Sequence, residues 1–340
     1  MRGIRGLIVF LLLLLIFEII FLPIITADSN LNNSSENIIT VSKLNGDYAN
    51  IQEAINQATE GSTIMIKSGT YNEIIEINKI ITIIGENKFD TIINSSSDKN
   101  KYAIKLSVSD ITIKDLSISN EAFGLYTTGL RISGDRSKIL NCNFYDNPIG
   151  IAIFSNENII NNCSFRNCRD EGIALIGTKT SNCDFNIISN CTFFNNCDGM
   201  ELQYSSNNKI ENCSIFNNSH TGIDAIISSN NNNIINNCKI YNNNVNGIYL
   251  SDSYNNLIIS CFFWGNKNGD IIDKNLSSNN TYLNDTFDNI FDNDINYNDS
   301  NDILFSGFNN NIQNNRFRFD LLNKLIEMIS NIIPIINNYF

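Results

Sequence analysis

Gly129-Leu-Arg-Ile is the first of six related segments, and the others are Gly150-Ile-Ala-Ile, Gly172-Ile-Ala-Leu, Gly199-Met-Glu-Leu, Gly222-Ile-Asp-Ala and Gly247-Ile-Tyr-Leu. Successive glycines lie 21, 22, 27, 23 and 25 residues apart. A second series alternates with the first: Asn141-Cys-Asn-Phe, Asn162-Cys-Ser-Phe, Asn190-Cys-Thr-Phe, Asn212-Cys-Ser-Ile, Asn237-Cys-Lys-Ile and Ser260-Cys-Phe-Phe. Two series in step indicate one structural unit stacked many times, and short alternating apolar segments are typical of β-strands. The repeat therefore predicts an all-β solenoid of stacked parallel strands.

The composition fits one long solenoid. Of the 340 residues 42% are hydrophobic, and Ile, Leu and Phe recur at fixed intervals between the Asn runs, unlike in a disordered Asn-rich chain. The formal net charge is −12, and Lys plus Arg number only 23, with no basic block. Phosphate binding needs clustered cations, so we predict no nucleic acid as a partner. An acidic, Asn-rich surface suits a secreted protein that faces solvent or neutral glycans.

The cysteines do not follow the pattern of a disulfide framework. Six hold the same place in successive repeats: Cys142, Cys163, Cys191, Cys213, Cys238 and Cys261. Stacked turns would hold them about 4.8 Å apart, further than the roughly 3.8 Å between the Cβ atoms of a disulfide. We predict a ladder of buried thiols, with metal binding by the ladder as the alternative. Cys168, Cys183 and Cys197 fall outside it, and a Cys168–Cys197 bridge is left open.

The Asn residues before the first five ladder cysteines form a second column: Asn141, Asn162, Asn190, Asn212 and Asn237. Asn tolerates left-handed turns and can stack through its side chain, so we predict a structural ladder here. Burial in that ladder would block glycosylation of the sequons at Asn162, Asn190 and Asn212.

The N-terminus is predicted to direct export. Residues 1–27 combine Arg2 and Arg5 with a long apolar run, which is typical of a signal peptide, and an uncleaved anchor is the alternative. Either form predicts an extracellular or cell-surface protein, with no membrane span in the mature chain unless the leader is uncleaved. Residues 28–44 are polar and are predicted to be a linker.

Residues 45–273 resemble known β-helix families. Tyr48-Ala-Asn-Ile-Gln-Glu-Ala-Ile, Gly69-Thr-Tyr-Asn-Glu and Ile83-Ile-Gly-Glu resemble the entry of pectinesterases and their right-handed parallel β-helix relatives. The repeats from Gly129 onward resemble the NosD-like parallel β-helix repeat family. The resemblance implies a right-handed single-stranded parallel β-helix of about ten turns. The helical spacing from Ile51 to Ala58 predicts an N-terminal cap helix, and Gly69, Tyr71 and Glu73 are assigned to its turn.

The C-terminal part departs from the repeat. Residues 274–316 are rich in Asn and Asp and are predicted to be irregular. The segment from Asp292 to Asn296 begins like a calcium loop, but Tyr297 replaces the required glycine and Ile303 the twelfth ligand, which leaves only weak Ca²⁺ binding open. Residues 317–340 are predicted to form an amphipathic cap helix, with a membrane-surface helix as the alternative.

The residues after each marker glycine predict where a site lies. In a strand the first residue faces inward and the second outward, so Glu201 and Asp224 should lie on adjacent turns, about 5 Å apart. Two carboxyls this close acquire different pKa values, as acid–base catalysis requires. The catalytic candidates are Glu201, Asp224, His220 and Asp198. The ligand-binding candidates on the same face are Arg169, Asp170, Gln203, Tyr204 and Tyr249, with Glu171 beside them.

Two functions are compatible with this face. The first is an exported, adhesin-like protein that binds polysaccharide or the cell envelope, favoured because the catalytic segments of pectinesterases and polygalacturonases are absent or incomplete. The second is a polysaccharide hydrolase or lyase that uses the carboxylate pair, and a plain solvated surface is the alternative to both. We predict no metal and no cofactor, since one His and four Met disfavour copper delivery of the NosD type.

Overall fold

The computed structural model describes residues 37–95, 102–122, 124, 127–225, 230–274 and 277–287. In this part of the chain the backbone forms a β-helix whose turns contribute strands to three long sheets. The sheets contain 11, 10 and 9 strands, so the helix has about ten turns. Neighbouring strands within each sheet are parallel, as in the pairs that join residues 138–140 to 159–161 and residues 128–132 to 149–153. The predicted parallel β-solenoid is confirmed.

Strands are numbered in chain order and the three long sheets are named A, B and C. Sheet A contains β1 (Ile38–Val41), β2 (Thr63–Ile66), β5 (Thr82–Gly85), β8 (Thr112–Lys114), β11 (Lys138–Leu140), β14 (Ile159–Asn161), β17 (Ile187–Ser189), β20 (Lys209–Glu211), β24 (Ile234–Asn236), β28 (Leu257–Ile259) and β31 (Thr281–Leu283). Sheet B contains β3 (Gly69–Tyr71), β6 (Thr91–Asn94), β9 (Ser117–Ser119), β12 (Asn143–Tyr145), β15 (Ser164–Arg166), β18 (Thr192–Phe194), β21 (Ser214–Phe216), β25 (Lys239–Tyr241), β29 (Phe262–Trp264) and β32 (Thr286–Phe287). Sheet C contains β4 (Ile75–Ile77), β7 (Tyr102–Leu106), β10 (Thr128–Ile132), β13 (Ile149–Ile153), β16 (Glu171–Ile176), β19 (Asp198–Gln203), β22 (Ile223–Ala225), β26 (Asn246–Ser251) and β30 (Gly269–Lys274). A short fourth sheet pairs β23 (Asn230–Asn231) with β27 (Ser253–Tyr254).

The interior is a column of apolar side chains from all three sheets. Ile dominates it, because β-branched side chains pack well on a pleated surface. Buried Phe144, Phe165 and Phe193 stack on successive turns of sheet B, with ring centroids 4.9 and 4.7 Å apart. Each turn therefore gains its stability from the turns on either side of it.

The cysteine ladder is confirmed as a row of buried, unbridged thiols. Within the ladder the thiols contact backbone carbonyls, such as that of Leu140, which lies 3.3 Å from Cys142 Sγ. Cys168, Cys183 and Cys197 are also free, so the Cys168–Cys197 bridge is not formed. Burial raises the pKa of the Cys168 and Cys183 thiols to about 12, which is typical of inert structural cysteines.

The predicted Asn column before the ladder cysteines has the expected left-handed turns and side-chain pairs, as between Asn162 and Asn141 at 3.1 Å, but its predicted burial was wrong. Asn162, Asn190, Asn212 and Asn237 are exposed and adopt φ values between +51° and +56°. They form the left-handed turns between sheets A and B, and neighbours still pair, as Asn237 does with Asn212 at 2.7 Å. Burial therefore does not shield these sequons.

The buried Asn ladders lie at the other two corners. One leads into sheet A and consists of Asn158, Asn186, Asn208, Asn233 and Asn256, and it ends at the half-buried Asn280. The other leads into sheet C and consists of Asn196, Asn218, Asn243 and Asn266. After the first Asn of each ladder, the side-chain oxygen accepts both the backbone N–H and the side-chain amide of the Asn one turn earlier, as Asn186 does from Asn158, both at 2.9 Å. The ladders thus satisfy backbone groups that the corners leave without strand partners.

The predicted N-terminal helix forms as α1 (Ile51–Gln57). Its residues Ile51, Ala54 and Ile55 are buried in the core. The Glu73 carboxylate accepts the backbone N–H groups of Ile51 and Gln52 at 2.9 and 3.0 Å, which supports the assignment of Glu73 to this turn. Whether α1 acts as a cap remains a prediction.

The solenoid extends beyond the predicted boundaries of residues 45–273. Strand β1 lies within residues 28–44, which we assigned to a linker, and pairs with β2 because Ile39 and Val41 reach the core. At the other end, β31 and β32 continue sheets A and B into the region predicted to be irregular. Phe287 in β32 stacks on Phe263 with ring centroids 5.2 Å apart.

Several sequence predictions lie outside the described residues. They are the leader at 1–27, most of the linker, the calcium-like segment at 292–296, the rest of the irregular region and the amphipathic helix at 317–340. Among the described residues, no helix has the length and apolar character needed to cross a membrane.

Candidate functional site

The outer face of sheet C carries the candidate site. Strands β16, β19, β22 and β26 are adjacent, and their register places Ala174, Glu201, Asp224 and Tyr249 side by side on successive turns. The residues that precede them are fully buried in the core: Ile173, Met200, Ile223 and Ile248. The predicted inward and outward positions are therefore confirmed.

The marker glycine permits the close stacking of these strands. A Cβ atom at Gly199 would lie 2.4 Å from the carbonyl oxygen of Gly222 and 2.6 Å from Ile215 Cγ2. No side chain fits there without moving the backbone of the next turn. The glycine column thus holds the acidic residues on either side of it at the spacing of successive turns.

Three of the acidic residues are buried although they lie on the outer face. The exposed fractions are 5% for Glu171, 6% for Asp198 and 6% for Asp224. Glu201 is half-buried and His220 is exposed. Burial of a charged carboxylate is costly unless it is paired or protonated, so these three carboxyls differ from an ordinary solvated acidic surface.

Asp198 lies at the start of β19 and is oriented by two hydrogen bonds. Its Oδ1 accepts the backbone N–H of Thr221 at 2.6 Å and lies 2.8 Å from His220 Nδ1. Burial raises the pKa of Asp198, while the Thr221 N–H and the His220 side chain oppose that rise. The two hydrogen bonds stabilise the anionic form of this carboxyl.

Asp224 lies beside Asp198 but has a different environment. Its Oδ1 is buried and has no hydrogen-bond partner. Burial and, second, the negative charge of Asp198 raise the pKa of Asp224 to about 7, with His220 acting in the opposite direction. Asp224 is therefore partly protonated at neutral pH.

Glu171 and Glu201 form a second carboxyl pair next to the first. Glu171 is in register with Asp198 on the adjacent strand, and Glu201 lies three residues further along that strand. The Gln203 amide donates a hydrogen bond to Glu201 Oε1. Burial, followed by the contact with Glu201, raises the pKa of Glu171 well above its ordinary value.

The ligand-binding candidates do not all join this cluster. Arg169 directs its guanidinium to the backbone carbonyls of Glu121, at 3.4 Å, and Ala122. Asp170 is exposed, and Tyr204 lies in a turn after β19 with a φ of +44°. By contrast, Gln203 contacts Glu201, and Tyr249 is in register with Asp224.

We did not predict Glu171 as a catalytic candidate from the sequence. It is buried and in register with Asp198, whereas Asp170 is exposed. The signal was its position directly before the marker glycine, which is also the position of Asp198. The Thr221 N–H that binds Asp198 was not predicted either, because backbone donors leave no mark in a sequence. Glu171 adds a buried carboxyl to the cluster, and the Thr221 N–H stabilises the anionic form of Asp198.

An apolar cluster lies on the same face, on the N-terminal side of the acids. Ile149, Ala152 and Ala174 are buried there and pack against Phe154 and Ile176. The guanidinium of Arg131 lies over the Phe154 ring, 4.2 Å from its centroid. The carboxyl cluster thus adjoins an apolar surface on the same face of sheet C.

Asp198, His220 and Asp224 are close enough to hold one metal ion. Each offers one ligand atom, and these atoms lie within 4.8 Å of one another. Two carboxylates and an imidazole are donors that several divalent cations accept. We predicted no metal from the sequence, and the geometry of these three groups neither requires one nor prevents one.

A family comparison agrees with this architecture. A family model described as "Right handed beta helix region" matches residues 80–230 and 128–287, together more than half of the chain. The chain belongs to the right-handed β-helix family. The handedness implied by the sequence resemblance is thereby supported, and the stacked turns of this β-helix protein are the repeats of that family.

Solved structures give the same fold. This β-helix protein is similar to ORF18 of Geobacillus virus E2, with a TM-score of 0.57 and 17% identity over 74% of this chain and 61% of that one. It is similar to the catalytic domain of a GH87 α-1,3-glucanase in complex with nigerose (TM-score 0.53, 16% identity, 68% and 46% of the two chains). It is also similar to the pectate lyase Pel9A, with a TM-score of 0.54 and 15% identity over 72% of this chain and 79% of that one.

These likenesses concern the fold, because all three identities are below 25%. The chain spans 61% of the length of the viral protein and 46% of the glucanase chain. No curated protein sequence matches the chain.

Proposed function

We propose that this protein hydrolyses a neutral polysaccharide outside the cytoplasm, with Asp224 as proton donor and Asp198 as its partner carboxylate. The observation that carries the proposal is the geometry of this pair. Both carboxyls are buried on one face, they offer oxygens within 4.8 Å of each other, and only Asp198 is held by a backbone N–H and an imidazole. Glycosidases need such a pair, with one carboxyl protonated and the other ionised.

The roles follow from the two environments. Asp224 is partly protonated at neutral pH, and its protonated form can give the proton to the glycosidic oxygen. The anionic form of Asp198 is stabilised by the Thr221 N–H and by His220, and in that form Asp198 can stabilise or attack the anomeric carbon from the other side. Their separation is smaller than the roughly 6.5–9.5 Å of inverting enzymes, so we expect retention of the anomeric configuration.

A neutral substrate is favoured by the charge of the site. Four carboxyls cluster here, and the guanidinium of nearby Arg169 is directed to backbone carbonyls. An anionic uronate would be repelled unless a cation accompanied it. Two of the similar structures are named as a glucanase and a pectate lyase, and these names support a polysaccharide as the class of substrate.

The test is hydrolysis of a panel of neutral polysaccharides, measured as the release of reducing ends. We expect Asp224→Asn and Asp198→Asn to lower kcat about 10²- to 10⁴-fold, and wild-type activity to fall as pH rises above about 7. Glu211→Gln is the matched control, because it removes one carboxylate from sheet A, where Glu211 pairs with Lys209. Equal activity of all three variants would refute the assignment.

The second candidate is a non-catalytic, adhesin-like protein that binds polysaccharide or the cell envelope through the same face. The regular scaffold without a complete family catalytic motif supports it. It predicts saturable glycan binding that survives Asp224→Asn, together with no turnover of any glycan. That combination of results would replace the hydrolase proposal.

A further inference from the structure

A groove opens at the C-terminal end of sheet B, beside β29 and β32. Its volume is about 470 Å³, and it is lined by Lys239, Phe262, Phe263, Trp264, Thr286 and Phe287. Four of these six side chains are aromatic. Phe262 is 44% exposed, so a large apolar surface faces solvent at this place. Covering such surface is favourable, because aromatic side chains bury a large apolar area.

Trp264 is the last member of an aromatic stack on the outer face of sheet B. The rings on successive turns have centroids 5.4, 4.8 and 4.0 Å apart and belong to Phe194, Phe216, Tyr241 and Trp264. The pairing of β29 with β32 ends at Phe263 and Phe287, so among the described residues none is in register with Trp264 on the next turn. Tyr241 therefore covers one side of the Trp264 ring, and the groove adjoins it as well.

The solenoid also presents strand edges at this end. Among the described strands, β31 is the last of sheet A and β32 the last of sheet B. An edge strand exposes backbone N–H and C=O groups, and proteins cover such edges or risk pairing with another chain. Tyr282 and Phe287 pack on the core here but are only partly buried. A covering segment with an apolar face is what this end of the solenoid requires.

The chain itself continues from this point with such a segment. Residues 317–340 are predicted from the sequence to form an amphipathic helix, whose apolar stripe consists of Leu321, Leu322, Leu325, Ile326, Ile329, Ile332 and Ile333. Residues 288–316 separate it from β32 and would span roughly 100 Å if fully extended, so the stripe can reach the groove. Because the segment is tethered beside the groove, its effective concentration there is high, which favours it over a second molecule.

We propose that the groove at Trp264 is the docking site of residues 321–333 of the same chain, which cover Phe262 and Trp264 and close the C-terminal end of the solenoid. The aliphatic stripe matches a groove lined mainly by aromatic rings. The proposal goes beyond the proposed function and does not depend on it, since the carboxyl cluster on sheet C contributes no residue to the groove.

The fluorescence of Trp264 tests the proposal, because it is the only tryptophan of the chain. Leu325→Asp combined with Ile329→Asp, in the full chain, places two charges in the apolar stripe and should release the segment. We expect the Trp264 emission to shift to longer wavelength and its quenching by acrylamide to increase, while circular dichroism shows an intact solenoid.

The matched control combines Asn323→Asp with Asn331→Asp, which adds the same two charges outside the stripe. Its emission and quenching should equal those of the wild type. Identical spectra for the wild type and the stripe variant, or equal shifts for the stripe variant and the control, would overturn the proposal.

Photo-crosslinking of the full chain identifies the occupant without disturbing the stripe. A benzophenone-bearing phenylalanine analogue in place of the exposed Phe262 should crosslink to residues 321–333 within one chain, with a yield that does not depend on protein concentration. Crosslinks to a second copy, crosslinks only to other parts of the chain, or none at all would refute the docking. Neither measurement uses a glycan, so failure of the hydrolase proposal would leave this result unaffected.

Discussion

At the residue scale, Asp198 and Asp224 show how one cluster gives two carboxyls different proton affinities. Both are buried to the same extent, so desolvation alone does not separate them. The difference is that Asp198 accepts a backbone N–H and contacts His220, while Asp224 Oδ1 has no partner. Hydrogen bonds to the ionised form therefore favour Asp198 as the base, and their absence at Oδ1 favours Asp224 as the acid.

The first prediction concerns the stability of the protein as a function of pH. The folded-state pKa of Asp224 is about 7, against an ordinary value of 3.8, so the folded state binds the proton more tightly. The stability that this proton contributes is complete below about pH 4 and is lost as pH rises to about 7. The slope is at most about 1.4 kcal/mol per pH unit.

Asp224→Asn should abolish this contribution. Urea denaturation between pH 4 and pH 7 should show the free energy of unfolding of the wild type falling relative to the variant, by on the order of 3–4 kcal/mol in total. Glu211→Gln, which also removes one negative charge, serves as the control and should track the wild type. Parallel curves for wild type and Asp224→Asn would contradict a raised pKa at this carboxyl.

At the scale of the element, the corners of the solenoid matter as much as its strands. The glycine repeat was sufficient to predict the strands of sheet C and their inward and outward positions, because strand alternation is strict. It was not sufficient at the corners, where residues such as Asn212 adopt left-handed backbone angles and alternation stops. We therefore predicted burial for Asn212, which is exposed, and did not identify the buried ladder that contains Asn208.

The same limit applies to the site. Glu201 and Asp224 were predicted because both follow a marker glycine directly within a strand. The burial of Glu171 and Asp198, which precede the glycine, depends on how each corner leads into sheet C. Pairing of Asp198 with the Thr221 N–H depends on the backbone of the next turn, which a repeat pattern does not describe.

The second prediction tests the buried Asn ladder. The Asn208 Oδ1 accepts the backbone N–H and the side-chain amide of Asn186 at 2.8 and 3.1 Å, and its own amide donates to Asn233 Oδ1 and the Cys183 carbonyl. Asn208→Ala leaves several buried polar groups unpaired, each worth about 1–3 kcal/mol. We expect a loss of about 3 kcal/mol or more in urea denaturation.

The matched control is Asn212→Gly in the exposed ladder. Glycine adopts positive φ without strain, and only an exposed hydrogen bond from Asn237 is lost, so the cost should be below about 1 kcal/mol. Similar losses for the two variants would mean that burial of the amide does not determine the strength of the ladder.

At the scale of the whole molecule, the shape of the solenoid and its negative charge both limit which ligands can bind. A solenoid displays an extended outer face, which suits a chain-like ligand. The net charge of −12 and the carboxyl cluster on sheet C repel polyanions. The proposed neutral glycan would avoid this repulsion.

The third prediction follows from that restriction. Binding of a neutral oligosaccharide to the Asp224→Asn variant should change less than about twofold between 50 and 500 mM NaCl, because no net charge is neutralised on binding. A polyuronate of equal length should bind at least tenfold more weakly at low salt, and added salt should narrow the difference by screening the repulsion. Calorimetric titrations of both ligands measure this directly. Tighter binding of the polyuronate at low salt, without added divalent cations, would exclude a neutral substrate and point to cationic groups outside the described cluster.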